Sequence, residues 1–323
     1  MSDTFLCSYT LNGDGSGTPI DEARLKALGE GAPPVWVHLS ARSSAARAWL
    51  SEEASLPDEV VVDALLAEDT RPRLLSRAEG VLLILRGVNL NDNAEPEDMV
   101  SIRIWLEPRR LVSVQLRDLR GVSEMRGLLA SGSGPRDIPD LITTFIEGSI
   151  VRLSPVLRDM ADCIDEMEDR ILSAKLTGLR EEIISVRRKT IIFNRFLAPQ
   201  EDIVQRLGSV QALTFDSECR GRLLEAHNDI ARFVEDLQAL RERGHAVQDE
   251  IGNILSEKLS RNTYVFSIIA SIFLPLSFLT GLLGINVEGI PGAQDPEAFL
   301  VFCGILISVV AVQIAIFKKL RWF

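Results

Sequence analysis

Two stretches near the end of the 323-residue chain carry no charged side chain: 264–283 (YVFSIIASIFLPLSFLTGLL) and 298–317 (AFLVFCGILISVVAVQIAIF). At about 1.5 Å rise per residue, each is long enough as a helix to cross the roughly 30 Å hydrocarbon layer of a bilayer. Two such runs back to back, with polar flanks, predict a transmembrane hairpin rather than a pair of soluble core helices. Lys258 and Arg261 precede the first run, and Lys318, Lys319 and Arg321 follow the second. The link between them, 284–297, has no Lys or Arg and carries Glu288, Asp295 and Glu297. The positive-inside rule then places the link outside and both chain ends in the cytoplasm. Trp322, beside the terminal cations, suits an interfacial anchor.

Ahead of the hairpin the pattern changes twice. Residues 1–139 read as a mixed α/β domain, with short β-rich runs at 5–11, 35–39, 81–85, 100–106 and 111–116 punctuated by turn residues. The stretch 43–69 reads as helices broken at Pro57. His38 lies inside a β run and reads as a satisfied structural histidine. A linker at 130–139 (ASGSGPRDIP) closes this domain. From 140 to 263 the chain reads as a helical stalk, with interruptions expected at Pro155, Pro199 and Gly208. Within 223–254, Leu223, Ile230, Leu237, Gly244 and Ile251 repeat every seven residues. Ala226, Phe233, Leu240, Val247 and Ile254 repeat in step three positions later, which predicts one long helix from about 220 into the first span. The predicted fold is therefore an α+β cytoplasmic domain, long stalk helices, and a two-helix membrane hairpin over 264–323 with a basic tail.

Composition narrows the chemistry. Lys and Arg number 35 against 46 Asp and Glu, a net charge of −11, so the chain is a poor nucleic-acid binder and better suited to attracting cations. Cys7, Cys163, Cys219 and Cys303 lie far apart, which argues against a disulfide framework or zinc knuckle. With 3 histidines, a catalytic metal centre is poorly supplied. No phosphate-binding loop, nucleophile elbow or zincin motif is present, so an enzyme is not expected. Residues 1–17 lack a basic segment leading into an apolar run, and no cleaved signal is expected.

One face of the first span is polar or small. Ser260, Thr263, Ser267, Ala270, Leu274 and Ser277 follow steps of three and four, while Ile268, Ile269, Ile272, Phe273 and Phe278 between them are bulky. Such a seam in hydrocarbon means either close helix packing or a wetted path, with Phe266 and Leu274 able to act as constrictions. Pro275 and Gly281 let the helix bend or break near its outer end. In the stalk, Asp162, Asp165, Glu166 and Asp169 form one helical stripe. It reads either as a solvated face or, once subunits assemble, as a ring of acids around a cation path.

The segment LPLSFLTGLLGINVEGIPG (274–292), two terminal spans and a basic tail resemble the CorA superfamily of divalent-cation transporters. The magnesium signature Gly-Met-Asn is replaced here by Gly284-Ile285-Asn286. That tripeptide with its short following loop, together with 84–106, is similar to the ZntB zinc-transporter branch. The resemblance implies a homopentamer in a bacterial inner membrane, with a cytoplasmic funnel, first spans lining the pore and second spans forming an outer ring. It implies Asn286 as first contact for a hydrated cation, with Glu288 concentrating cations at the mouth. Chemistry agrees: a ring of neutral carbonyls can hold metal-bound water without stripping it. The tripeptide also reads as a helix-ending turn.

The expected function is zinc transport, extending to Cd, Ni or Co, with no cofactor beyond the transported ion. The branch is associated with proton coupling, yet the first span offers only Tyr264 as an ionisable group. Alternatives are a magnesium or broad divalent channel, and a non-conducting, membrane-anchored coiled-coil scaffold. Cys303 reads as a packing or lipid-facing thiol.

Overall fold

The computed structural model describes residues 4–29, 31–53, 56, 58–173, 175–284 and 296–319. They form two compact units, Met1–Gln248 and Asp249–Phe323. In the first, a seven-stranded sheet is built from β1 (Cys7–Leu11), β2 (Gly17–Pro19), β3 (Val35–Ser40), β4 (Arg73–Ser76), β5 (Val81–Gly87), β6 (Val100–Leu106) and β7 (Arg110–Gln115). Their order is β2-β1-β3-β7-β6-β5-β4. Every neighbouring pair is antiparallel except β3 with β7.

Helices cover both faces because both faces are apolar. Val37, Leu39, Ile84, Trp105 and Val112 point to one side and share a core with Ala46, Leu50, Val61 and Leu65. Those partners come from α2 (Ser44–Ala48), the π-helical turn Trp49–Glu53 and α3 (Glu59–Leu66), which follow the short α1 (Glu22–Lys26). Pro57 itself lies outside the described residues, and α3 begins after it with Asp58 as N-cap. The opposite face meets α4 (Arg120–Ser131), α5 (Ile138–Leu172) and α6 (Leu179–Leu207). There Trp36 packs edge-on against Phe145 of α5, ring centres 5.6 Å apart.

His38 is fully buried on that second face. Its Nε2 lies 3.0 Å from Gln115 Oε1 and its Nδ1 2.8 Å from Ser113 Oγ. Gln115 in turn donates to Asp118, which leaves its Oε1 as acceptor, so the ring is neutral with the proton on Nε2. Burial pushes its pKa down to about 4. Unfolded, the ring titrates near 6.5 and binds more protons than the folded state between these two values. Its contribution is therefore complete above pH 6.5 and lost as pH falls toward 4. From pH 7 to pH 5 the unfolding free energy should drop by about 2 kcal/mol through this residue. Chemical unfolding followed by circular dichroism should lose that part of the slope in His38→Gln.

The helical part departs from expectation at two prolines. α5 runs through Pro155 and α6 through Pro199 without interruption. An interior proline costs about 3 kcal/mol. Ile150, Leu153, Leu157 and Met160 are buried around Pro155, as are Phe193, Leu197 and Ile203 around Pro199. Each such side chain returns about 1.5–3 kcal/mol, which outweighs the penalty. The breaks fall between Leu172 and Leu179, where Gly178 takes φ 78°, and, as expected, after Leu207, where Gly208 is the C-cap. The linker is shorter than 130–139, since α4 reaches Ser131 and α5 starts at Ile138.

The long helix predicted from about 220 is α7, Ser217–Leu283. Leu223, Ala226, Ile230, Phe233, Leu237, Leu240, Val247 and Ile251 are all buried, as the heptad requires. At Gly244 a Cβ would stand 3.2 Å from Arg187 Cγ, so α6 passes close to the helix at this position. Arg222 binds Asp140, Thr144 and Glu147 of α5, and Arg243 binds Asp165 and Glu168. Hydrogen bonds to those carboxylates raise both guanidinium pKa values.

Candidate cation pathway

The second unit holds the apolar end of α7 and α8 (Ala298–Lys319). Both are long and apolar enough to cross a membrane. Along the span of α7, Ile268 is 9% exposed, and Ile272, Pro275, Leu276 and Leu279 are partly covered. These positions share one face. On α8 the covered positions are Phe302, Cys303, Leu306, Val309, Val310, Gln313 and Phe317, again a single stripe. Gln313 Nε2 donates to the Ser271 carbonyl at 3.2 Å and ties the two helices together.

The polar seam lies elsewhere. Ser260, Thr263, Phe266, Ser267, Ala270, Leu274 and Ser277 are all exposed. At about 100° per residue, the centre of the seam is roughly 150° around the helix from the face covered by α8. Ser267 Oγ donates to the Thr263 carbonyl, and Thr280 Oγ1 to that of Leu276. The Ser267 hydroxyl is thus satisfied within its own helix, which lets it sit in hydrocarbon yet turn toward water or an ion.

At the outer end, the Gly284 N–H closes on the Gly281 carbonyl at 3.2 Å, a tight turn that finishes α7. A Cβ on Gly284 would stand 2.9 Å from the Thr280 carbonyl oxygen, so the close approach requires glycine. Ile285, Asn286 and Glu288 lie outside the described residues.

The stalk acids Asp162, Asp165, Glu166 and Asp169 are exposed on α5. Asp165 is engaged by Arg243. Among the described residues no three carboxylate, thiol or imidazole groups converge to hold a metal ion. Sequence reading passed over Gln313, although a lone amide in an apolar run is a visible signal.

The sequence profile described as CorA-like Mg2+ transporter protein matches residues 32–319. The chain belongs to this family. Its members are transporters and not enzymes. The divalent cation transporter CmaX of Pseudomonas aeruginosa is 36% identical over 321 residues, covering 98% of this chain and 96% of that protein. The zinc transport protein ZntB of Yersinia enterocolitica is 32% identical over 315 residues, covering 98% and 95%. The solved structure of full-length CmaX matches with a TM-score of 0.84 at 35% identity, over 98% of both chains. The resemblance carried by 84–106 and 274–292 is borne out at the level of the CorA family. The order of sheet domain, long helix and C-terminal apolar helix is the family's own.

Proposed function

We propose that this chain carries divalent cations, zinc among them, across a bacterial inner membrane as a homopentamer, with both chain ends cytoplasmic. The observation that carries the proposal is the seam: a small, hydroxyl-bearing face of α7 turned away from α8. Two helices cannot enclose a pore. Copies meeting along their seams would line one, with each α8 outside. The mouth would be formed by Gly284, Ile285 and Asn286, with Glu288 raising the local cation concentration. Asp162, Glu166 and Asp169 would add a negative approach from the cytoplasmic side, which suits a chain of net charge −11.

Zinc transport is supported by the ZntB relatives, and a broader divalent range by CmaX. Magnesium is the second reading, favoured by the description of the family. Isotope flux into proteoliposomes should show zinc uptake exceeding magnesium uptake, and collapsing an imposed pH gradient tests proton coupling. Native mass spectrometry of the solubilised protein should give a pentamer. A clean monomer or dimer would remove the shared pore, and magnesium flux above zinc flux would move the assignment to the second reading.

A further inference from the structure

In hydrocarbon, each backbone polar group needs a partner from the protein itself. Pro275 has no N–H, so the helical bond that would end on the Ser271 carbonyl, four residues earlier, cannot form. That carbonyl is the one to which Gln313 Nε2 donates. Gln313 is also the single side-chain amide in 298–317. The α8 stripe thus delivers its one strong donor to the one carbonyl that Pro275 leaves without its helical bond.

Two further observations make this more than packing. The Oε1 of Gln313 is buried and has no partner among the described residues. An amide half-satisfied in an apolar setting is costly, and leucine or methionine would fill the same space without that cost. The donor end must therefore repay it. In the cytoplasmic unit, Pro155 of α5 creates the same defect. There Val151, four residues earlier, is 70% exposed, so water can serve its carbonyl. At Ser271 the partner is instead a side chain of α8.

We propose that Gln313 is a positioning residue for transport: it clamps the Pro275 break and so fixes the direction of 276–284, the segment that leads into the mouth signature. The clamp turns α8 from a passive outer helix into the element that sets where the pore helix points. The transport role rests on the function proposed above. The clamp itself does not, and the two are read separately.

The test is a double-mutant cycle between Gln313→Met and Pro275→Ala, since Pro275→Ala restores the N–H and makes the clamp redundant. The first readout is the rate at which a water-soluble thiol reagent labels Leu282→Cys in pentamers lacking the four native cysteines. Gln313→Met should change that rate about fivefold, the worth of one hydrogen bond of about 1 kcal/mol, and by less than about twofold in the Pro275→Ala background. The second readout is zinc flux, expected to fall about fivefold in Gln313→Met and to recover in the double variant. Equal changes in both backgrounds, or none in either, would overturn the clamp. Coupled labelling with uncoupled flux would overturn the positioning role. A parent protein that labels as predicted but carries no divalent cation would sink the transport reading and leave the clamp standing. Gln313→Leu repeats the cycle if the methionine variant does not assemble.

Discussion

Asn286→Ala is expected to lower divalent-cation flux at least tenfold, about 1.4 kcal/mol or more on the rate-limiting barrier. A hydrated divalent ion sheds water reluctantly. In the proposed pore the mouth would hold the ion by hydrogen bonding its water shell, a task that suits the amide oxygen of Asn286. Alanine deletes the acceptor from every copy while leaving both apolar spans intact, so membrane abundance and assembly should not change. Flux in proteoliposomes, normalised to incorporated protein, decides the matter. A rate within about twofold of the parent would leave Gly284-Ile285-Asn286 as a helix-ending turn and nothing more.

Ser267→Leu should have an effect of similar size for a different reason. Ser267 is exposed on the seam, and its hydroxyl is held by the Thr263 carbonyl. In the proposed pore, leucine would add bulk in each copy around the axis and replace a polar surface with an apolar one, which favours dewetting. Flux should fall at least about tenfold. Ile268→Leu, one residue away on the face covered by α8, conserves volume and should be nearly silent. Cysteines at Thr263, Ser267 and Ser277 should react with water-soluble thiol reagents, because thiolate formation needs water, whereas one at Ile268 should be protected. If the seam instead packs helices, Ser267→Leu should disturb assembly and the seam cysteines should stay unlabelled. Equal protection on both faces of a conducting oligomer would contradict the assignment of the pore face.

The sequence announced features that depend on periodicity and missed those that depend on neighbours. Strand β6, the heptad of α7 and both spans were legible because their patterns repeat over many residues. β2 and β4 were not: Gly17–Pro19 has three residues, and Arg73–Ser76 is a short edge segment with no alternation between buried and exposed positions. Pro155 and Pro199 looked like breaks because local propensity says so, but the apolar stripes on either side decide the outcome. The stripe of stalk acids was visible as spacing. That Arg243 would reach Asp165 from 78 residues away was not. The seam was legible as a face, while the direction of that face came only with α8. Pro275 and Gln313 were both in plain sight, yet 42 residues separate the amide from the carbonyl it meets, and no local pattern joins them.

The single parallel pairing in the sheet has a consequence for biosynthesis. β3 gains its first neighbour, β1, from chain already made, but its other edge waits for β7, represented by Ser113 some 75 residues beyond His38. Until that strand leaves the ribosome, an almost wholly apolar segment, VWVHL, presents a bare row of peptide groups. Such an edge invites pairing with other chains. By contrast β4 to β7 form a run of neighbours in chain order and can close on themselves as they emerge. The nascent protein is thus most exposed to misassembly while β3 still offers an open edge, before its two apolar C-terminal helices have been synthesised.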